Sequence, residues 1–137
     1  MRKKSRSAAH AHYLRGSALE EEDVDAARAA YECCLAGDVG HLEARINLGR
    51  LLHMEGRHRE AETVYTAGEE PSAILFFNLG VLMEDMQRDL DAIDAYRKAI
   101  VHDPGLADAH FNLSLVYERS GHAQASFRHL LAYCRSV

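Results

Sequence analysis

Nine histidines, three cysteines and two runs of carboxylates are the residues of this 137-residue chain whose chemistry could reach beyond packing. A structural zinc site needs four nitrogen or sulfur ligands at short, paired spacings. His10 and His12 lie close together, His53 and His58 are five apart across a turn, and His122 and His129 share a helix face two turns apart. None of these pairs is joined by cysteine or carboxylate at metal-ligand spacing, so no metal is expected. Cys33, Cys34 and Cys134 make neither a CxxC pair nor a disulfide framework. Cys34 is expected to pack as a small hydrophobe and Cys33 to point outward. Glu20-Glu21-Glu22-Asp23 and Glu84-Asp85 would suit acid–base work only in a cleft, and on exposed helices such runs are solvent faces. No nucleophile elbow, phosphate-binding loop or HExxH spacing appears, and the glycines are scattered at turns. The expectation is a protein without catalytic residues and without a cofactor.

Composition narrows the class further. The hydrophobic fraction is 47% and the charged fraction 27%, which suits a water-exposed globular chain. A formal charge of −5 argues against nucleic-acid binding through this domain, because neutralising phosphates needs a basic face. No apolar run approaches the roughly 18 residues that cross a bilayer, so no membrane partner is expected. The start, Met1-Arg2-Lys3-Lys4-Ser5-Arg6, is basic with no apolar stretch behind it, unlike a secretory signal. Residues 1–6 are read as a basic disordered tail. The odd cysteine count without a signal predicts reduced thiols and a cytoplasmic location.

The elements that would position any site are read from periodicity. Phe76, Leu79, Gly80 and Met83 are spaced three, one and three apart, which is one stripe of a helix. Ala92, Tyr96 and Ala99 form a second stripe after a polar turn at residues 87–89, and Asp103-Pro104-Gly105 ends it, the glycine taking the left-handed turn. Large residues around a glycine, facing alanines around an aromatic, describe a crossing in which two helix backbones come close. The pattern recurs. Tyr31, Tyr65, Tyr96 and Leu130 are 34, 31 and 34 apart, as are Ala27, Ala61, Ala92 and Ser126, and Leu14, Leu48, Leu79 and Leu113. In the first unit strict spacing sets Arg15 against Gly49 and Gly80. A register slipped by one residue, with Gly16 there, is preferred because an arginine does not fit a close crossing. The second unit is three residues short, which predicts a truncated second helix ended by Gly68 and Pro71.

A period near 34 with two helices per unit, carried by Phe76-x2-Leu79-Gly80-x2-Met83, Ala92-x3-Tyr96 and Pro104, resembles the tetratricopeptide repeat. The resemblance implies an all-α, right-handed superhelix of about four helix-turn-helix repeats, over residues 7–40, 41–72, 73–106 and 107–137. It also implies a concave groove, lined by the first helices, that takes a partner peptide or helix. By position the groove residues are Ile46, Asn47, Arg50, His53 and Met54 in the second unit. Phe77, Asn78, Val81, Glu84 and Asp85 follow in the third, and Asp108, Phe111, Asn112, Leu115, Glu118 and Arg119 in the fourth. Asn47, Asn78 and Asn112 form a ladder, each preceded by an apolar residue. An asparagine amide donates and accepts at once, so each could hold an extended guest backbone, or else bond the backbone of a neighbouring repeat. Family members that grip a chaperone's C-terminal carboxylate use lysines and an arginine. This sequence offers His12 or Ile46, and Ile74, Asn78 or Asp108, so no such clamp is expected.

The segments ADAHFNL, NLGRLLHMEGR and FNLGVLMEDM are similar to the tetratricopeptide tails of bacterial MerR-type transcription regulators. That likeness implies an alternative role, a regulatory or ligand-sensing domain requiring a DNA-binding domain outside this sequence. Members often close with a further helix that solvates the last inner face. Phe127, Leu130, Leu131 and Cys134 are therefore expected to be partly bare and to support self-association, making a homo-oligomer or a purely structural array.

Overall fold

The computed structural model describes residues 2–68 and 72–137, with side chains from Ser5 onward. All regular structure among them is α-helical. Two compact units, Met1–Glu70 and Pro71–Val137, each hold four helices. The first contains α1 (Arg2–Leu19), α2 (Val24–Gly37), α3 (Leu42–Met54) and α4 (His58–Thr66). The second contains α5 (Ala73–Asp85), α6 (Asp89–His102), α7 (Ala107–Arg119) and α8 (Ala123–Ser136). Successive helices pair within each unit, and in each the third helix also packs on the second. The fold class is thus an all-α helical repeat of the solenoid type. Among the described residues no helix is long and apolar enough to cross a membrane.

Local chemistry sets the boundaries. Asp23 adopts an extended backbone and accepts a hydrogen bond from the Ala26 amide at 3.0 Å, capping α2, while Asp25 lies in the first turn. Ser72 caps α5 through the Leu75 amide at 3.3 Å, and His41 caps α3 through the Ala44 amide at 3.2 Å. Inside three of the helix pairs one residue turns left-handed at the same place: Gly56 at φ +78°, Gln87 at φ 58° and Gly121 at φ +83°. The stop after α6 is different from the one expected. Gly105 is not left-handed. Asp103 ends the helix instead, taking an extended backbone at φ −142°, with its amide bonded to the Ala99 carbonyl.

The core follows the repeat columns, with one change of cause. Ala27, Ala61 and Ala92 are fully buried, and so are Tyr31, Tyr65 and Tyr96. The glycines opposite them serve a ring rather than a neighbouring backbone. A Cβ on Gly49 would stand 2.2 Å from Tyr65 Cε1, one on Gly80 2.5 Å from Tyr96 Cε1, and one on Gly16 2.6 Å from Tyr31 Cε1. The tyrosine lays its edge into the gap that a missing side chain leaves. The same contact at Gly16 shows the slipped register to hold in the first repeat. Leu14 accordingly leaves the leucine column and is exposed.

Two further differences sit in the first unit. Helix α1 begins at Arg2, so residues read as a disordered tail are helical, and Ser5 Oγ donates to the Gly37 carbonyl at 3.0 Å. Helix α4 is short, nine residues against fourteen in α2 and α6, as the missing residues predict. Pro71, named with Gly68 as its stop, lies outside the described residues. Where α4 ends, Arg45 of α3 fills the space. Its guanidinium, only 1% exposed, donates to the Tyr65 carbonyl at 2.7 Å and the Val64 carbonyl at 3.4 Å.

Candidate functional site

The sequence-predicted groove residues lie on the first helix of each pair, and two of the asparagines belong to a recurring polar node. In the first unit the Tyr31 hydroxyl donates to the Glu20 carboxylate, and Asn47 Nδ2 donates to Tyr31 Oη at 3.2 Å. In the second unit the Tyr96 hydroxyl donates to Glu84, and Asn112 Nδ2 donates to Tyr96 Oη at 3.3 Å. The directions are forced. An ionised carboxylate only accepts, so it takes the single tyrosine proton, and the asparagine must then present its N–H side to the phenol. Each amide carbonyl oxygen is left for another donor. The neighbouring repeat therefore bonds these asparagines through a tyrosine side chain, not through its backbone.

Arginines close both nodes. Arg50 Nη2 donates to both Glu20 oxygens, at 2.9 and 2.8 Å. Arg119 Nη2 reaches Glu84 at 3.1 Å and Asp89 at 3.0 Å. Burial is the main cause that pushes the Tyr31 and Tyr96 hydroxyls well above the ordinary tyrosine range, and the hydrogen bond to Glu20 or Glu84 adds to it. The bond to Asp89 holds the Arg119 guanidinium firmly charged, and Arg119 holds Asp89 below its usual range.

The remaining expected residues stand around these nodes. Ile46 and His53 are half-buried on α3, and His53 meets the His58 ring edge-on at 5.4 Å. On α5, Phe77, Asn78 and Val81 are half-buried, and the Phe77 ring lies 5.8 Å from that of Tyr96. Phe111 and Leu115 on α7 are exposed at 38% and 42%, with the Phe111 ring 5.0 Å from Tyr133 of α8. Phe77 and Asn112 thus meet on one tyrosine, while Asn47 and Arg50 meet through another with Glu20. On α8, Phe127, Leu130, Leu131 and Cys134 are all exposed.

Some partnerships were missed in the sequence. His110 Nε2 donates to the Pro104 carbonyl at 2.8 Å, so its Nδ1 accepts from His129 Nδ1 at 3.0 Å. Burial is the main cause that holds His129 below the ordinary histidine range. His41 accepts at Nδ1 from its helix and so donates from Nε2 to His10 Nδ1, at 3.0 Å. These ties join α7 to α8 and α1 to α3. Of the histidine pairs chosen by sequence proximity, His53 and His58 meet, whereas His10 bonds His41 and His122 meets Tyr117. Among the described residues no three histidine, cysteine or acidic side chains gather where they could hold a metal ion. The signal for the tyrosine nodes was available: Tyr31 and Tyr96 each precede their asparagine by 16 residues.

Residues 18–71 match the tetratricopeptide repeat family model. A tetratricopeptide repeat protein from Parabacteroides merdae superposes at a TM-score of 0.80, with 14% identity over 92% of this chain and 52% of that one. The fold is the tetratricopeptide repeat fold. MamA structures share it: one at TM-score 0.85 and 20% identity, covering 93% of this chain and 77% of that one. PilF of Pseudomonas aeruginosa superposes at 0.84 with 18% identity, over 96% of this chain and 62% of its own. No curated protein matches this chain in sequence.

Proposed function

We propose that this chain is a non-catalytic protein–protein interaction module whose first helices hold a segment of a partner. The reading rests on the asparagine nodes. A tyrosine turns Asn47 and Asn112 so that an amide oxygen remains free to accept, and an extended peptide supplies backbone N–H groups at intervals. Phe111 and Leu115 lie bare beside Asn112 and give the guest's apolar side chains a place to bury, with Phe77 and Val81 as their counterparts on α5. Ile46, Arg50 and His53 play that flanking part around Asn47, and Asn78 completes the ladder.

A comparative pull-down tests this. Immobilised wild type and a chain carrying Asn47→Ala, Asn78→Ala and Asn112→Ala together are exposed to the same extract. The tyrosines keep their bonds to Glu20 and Glu84 in the variant, so each substitution is expected to cost only about 1 kcal/mol of stability. The proposal expects bands held by wild type and lost from the folded variant. Equal recovery by both, or none by wild type, overturns it.

A further inference from the structure

The first and last helices each carry an exposed half of a joint that the chain builds twice within its units. Where α3 packs on α2, and α7 on α6, the second helix of one repeat offers a stripe to the first helix of the next. On α2 that stripe is Arg28, Tyr31 and Leu35, and on α6 it is Ile93, Tyr96 and Ile100, all half-buried or fully buried. The repeat spacing places Phe127, Leu130 and Cys134 there on α8, and all three are exposed. The receiving stripe is Ala44, Leu48 and Leu51 on α3, and Ala109, Leu113 and Val116 on α7, all buried. The register fixed by Gly16 puts Ala11, Arg15 and Ala18 at those positions on α1, again all exposed.

The exchange at the centre of the joint decides what fits. At both internal joints the tyrosine hydroxyl accepts from an asparagine, Tyr31 from Asn47 and Tyr96 from Asn112. On the first and last helices both partners change together. Leu130 stands in the tyrosine position at 40% exposure, and Leu14 stands in the asparagine position at 55%. A polar pair has become an apolar pair, split between the first helix of the chain and the last. A leucine facing an asparagine would leave the amide unsatisfied, whereas leucine on leucine buries cleanly.

We propose that α8 of one copy docks on α1 of a second copy as α6 docks on α7, with Leu130 packing against Leu14. The contact is head-to-tail and so propagates into chains of copies rather than closing as a two-fold dimer. It is independent of the guest-binding reading above. Neither helix carries a carboxylate, while Arg15, Arg128 and Arg135 lie on or beside the two stripes. Arg15 is accommodated by laying its aliphatic stem along the joint with its head in water. The association therefore tightens with added salt, which screens like charges, the reverse of an ionic interface.

The test uses the full 137-residue chain with Cys33→Ser and with Cys134→Ala, which keeps the α8 stripe apolar. Cys34 stays, because it is buried and burial pushes its thiol up to about 11. Leu14→Cys and Leu130→Cys chains are prepared separately, then treated with a short bismaleimide crosslinker alone and mixed. Crosslinked dimer is expected in the mixture at roughly tenfold or more over either variant alone. In sedimentation velocity Leu130→Lys is expected to weaken association by about tenfold or more, since it puts a further cation into an apolar contact that already holds Arg15. Its circular dichroism is expected unchanged, because the side chain is exposed in the single copy. A chain that stays monomeric up to about 1 mM at high salt overturns the proposal. So does a Leu130→Cys variant that crosslinks alone as well as in the mixture, which would place two α8 helices together.

Discussion

Tyr96 does three things at once. Its ring edge fills the gap over Gly80, its ring lies 5.8 Å from that of Phe77, and its hydroxyl orders Glu84 and Asn112. Losing the ring by Tyr96→Ala is expected to cost about 3–5 kcal/mol in chemical denaturation. Gly80→Ala gains about 1 kcal/mol in helix propensity but drives a methyl into a ring that cannot move away. The net expectation is a loss of about 1–2 kcal/mol. The hydroxyls also set an alkaline limit. A phenol whose folded pKa lies above its ordinary value of 10.0 stabilises the fold fully below pH 10.0. That contribution is lost as the pH rises from there toward the folded pKa. Denaturation midpoints measured from neutral pH upward are expected to fall past that point. In the Tyr31→Phe, Tyr96→Phe double variant the fall should be shallower, and an unchanged slope would mean these hydroxyls are not linked to folding. Phe77, chosen as a groove residue, carries part of the packing. Phe77→Ser is therefore expected to lower stability as well as capture.

At the scale of elements, the turns within the helix pairs share one left-handed residue, and only one of the three is not glycine. Gln87 holds φ 58° against the preference of a side-chain-bearing residue. Gln87→Gly is expected to raise stability by about 1 kcal/mol, read from thermal and urea midpoints, while Gly56→Ala should lower it by a similar amount. Helix α8 is the element with no buried residue, and its ties to α7 run through His110–His129 and Phe111–Tyr133. Those side chains leave Phe127, Leu130 and Leu131 to the solvent.

Across the whole molecule, charge is segregated along the chain. All 21 acidic residues lie between Glu20 and Glu118, so the first and last helices carry none. The net charge of −5 reaches zero at pI ≈ 6.0, where turbidity measurements are expected to find the least soluble state. This distribution was open to inspection in the sequence, as were the helices, turns and tyrosine and alanine columns. Those features repeat, and three residues on one spacing constrain each other. The tyrosine nodes and histidine pairs were harder to read. Each joins residues from different helices, and only the crossing of those helices decides which pair will meet. Arg15 gave the clearest local warning, since its clash with a close crossing pointed to the slipped register that Gly16 and Tyr31 adopt.

Arg45 ties the length of one helix to the identity of one residue in another. Where α4 stops, the guanidinium donates to two carbonyls of its last turn, those of Val64 and Tyr65. Reinserting three residues after Tyr65 would evict the cation into a core with no room for it. Changing Arg45 alone would take its donors from the Tyr65 and Val64 carbonyls. The short helix and the arginine are therefore coupled, and a change to one calls for a change to the other.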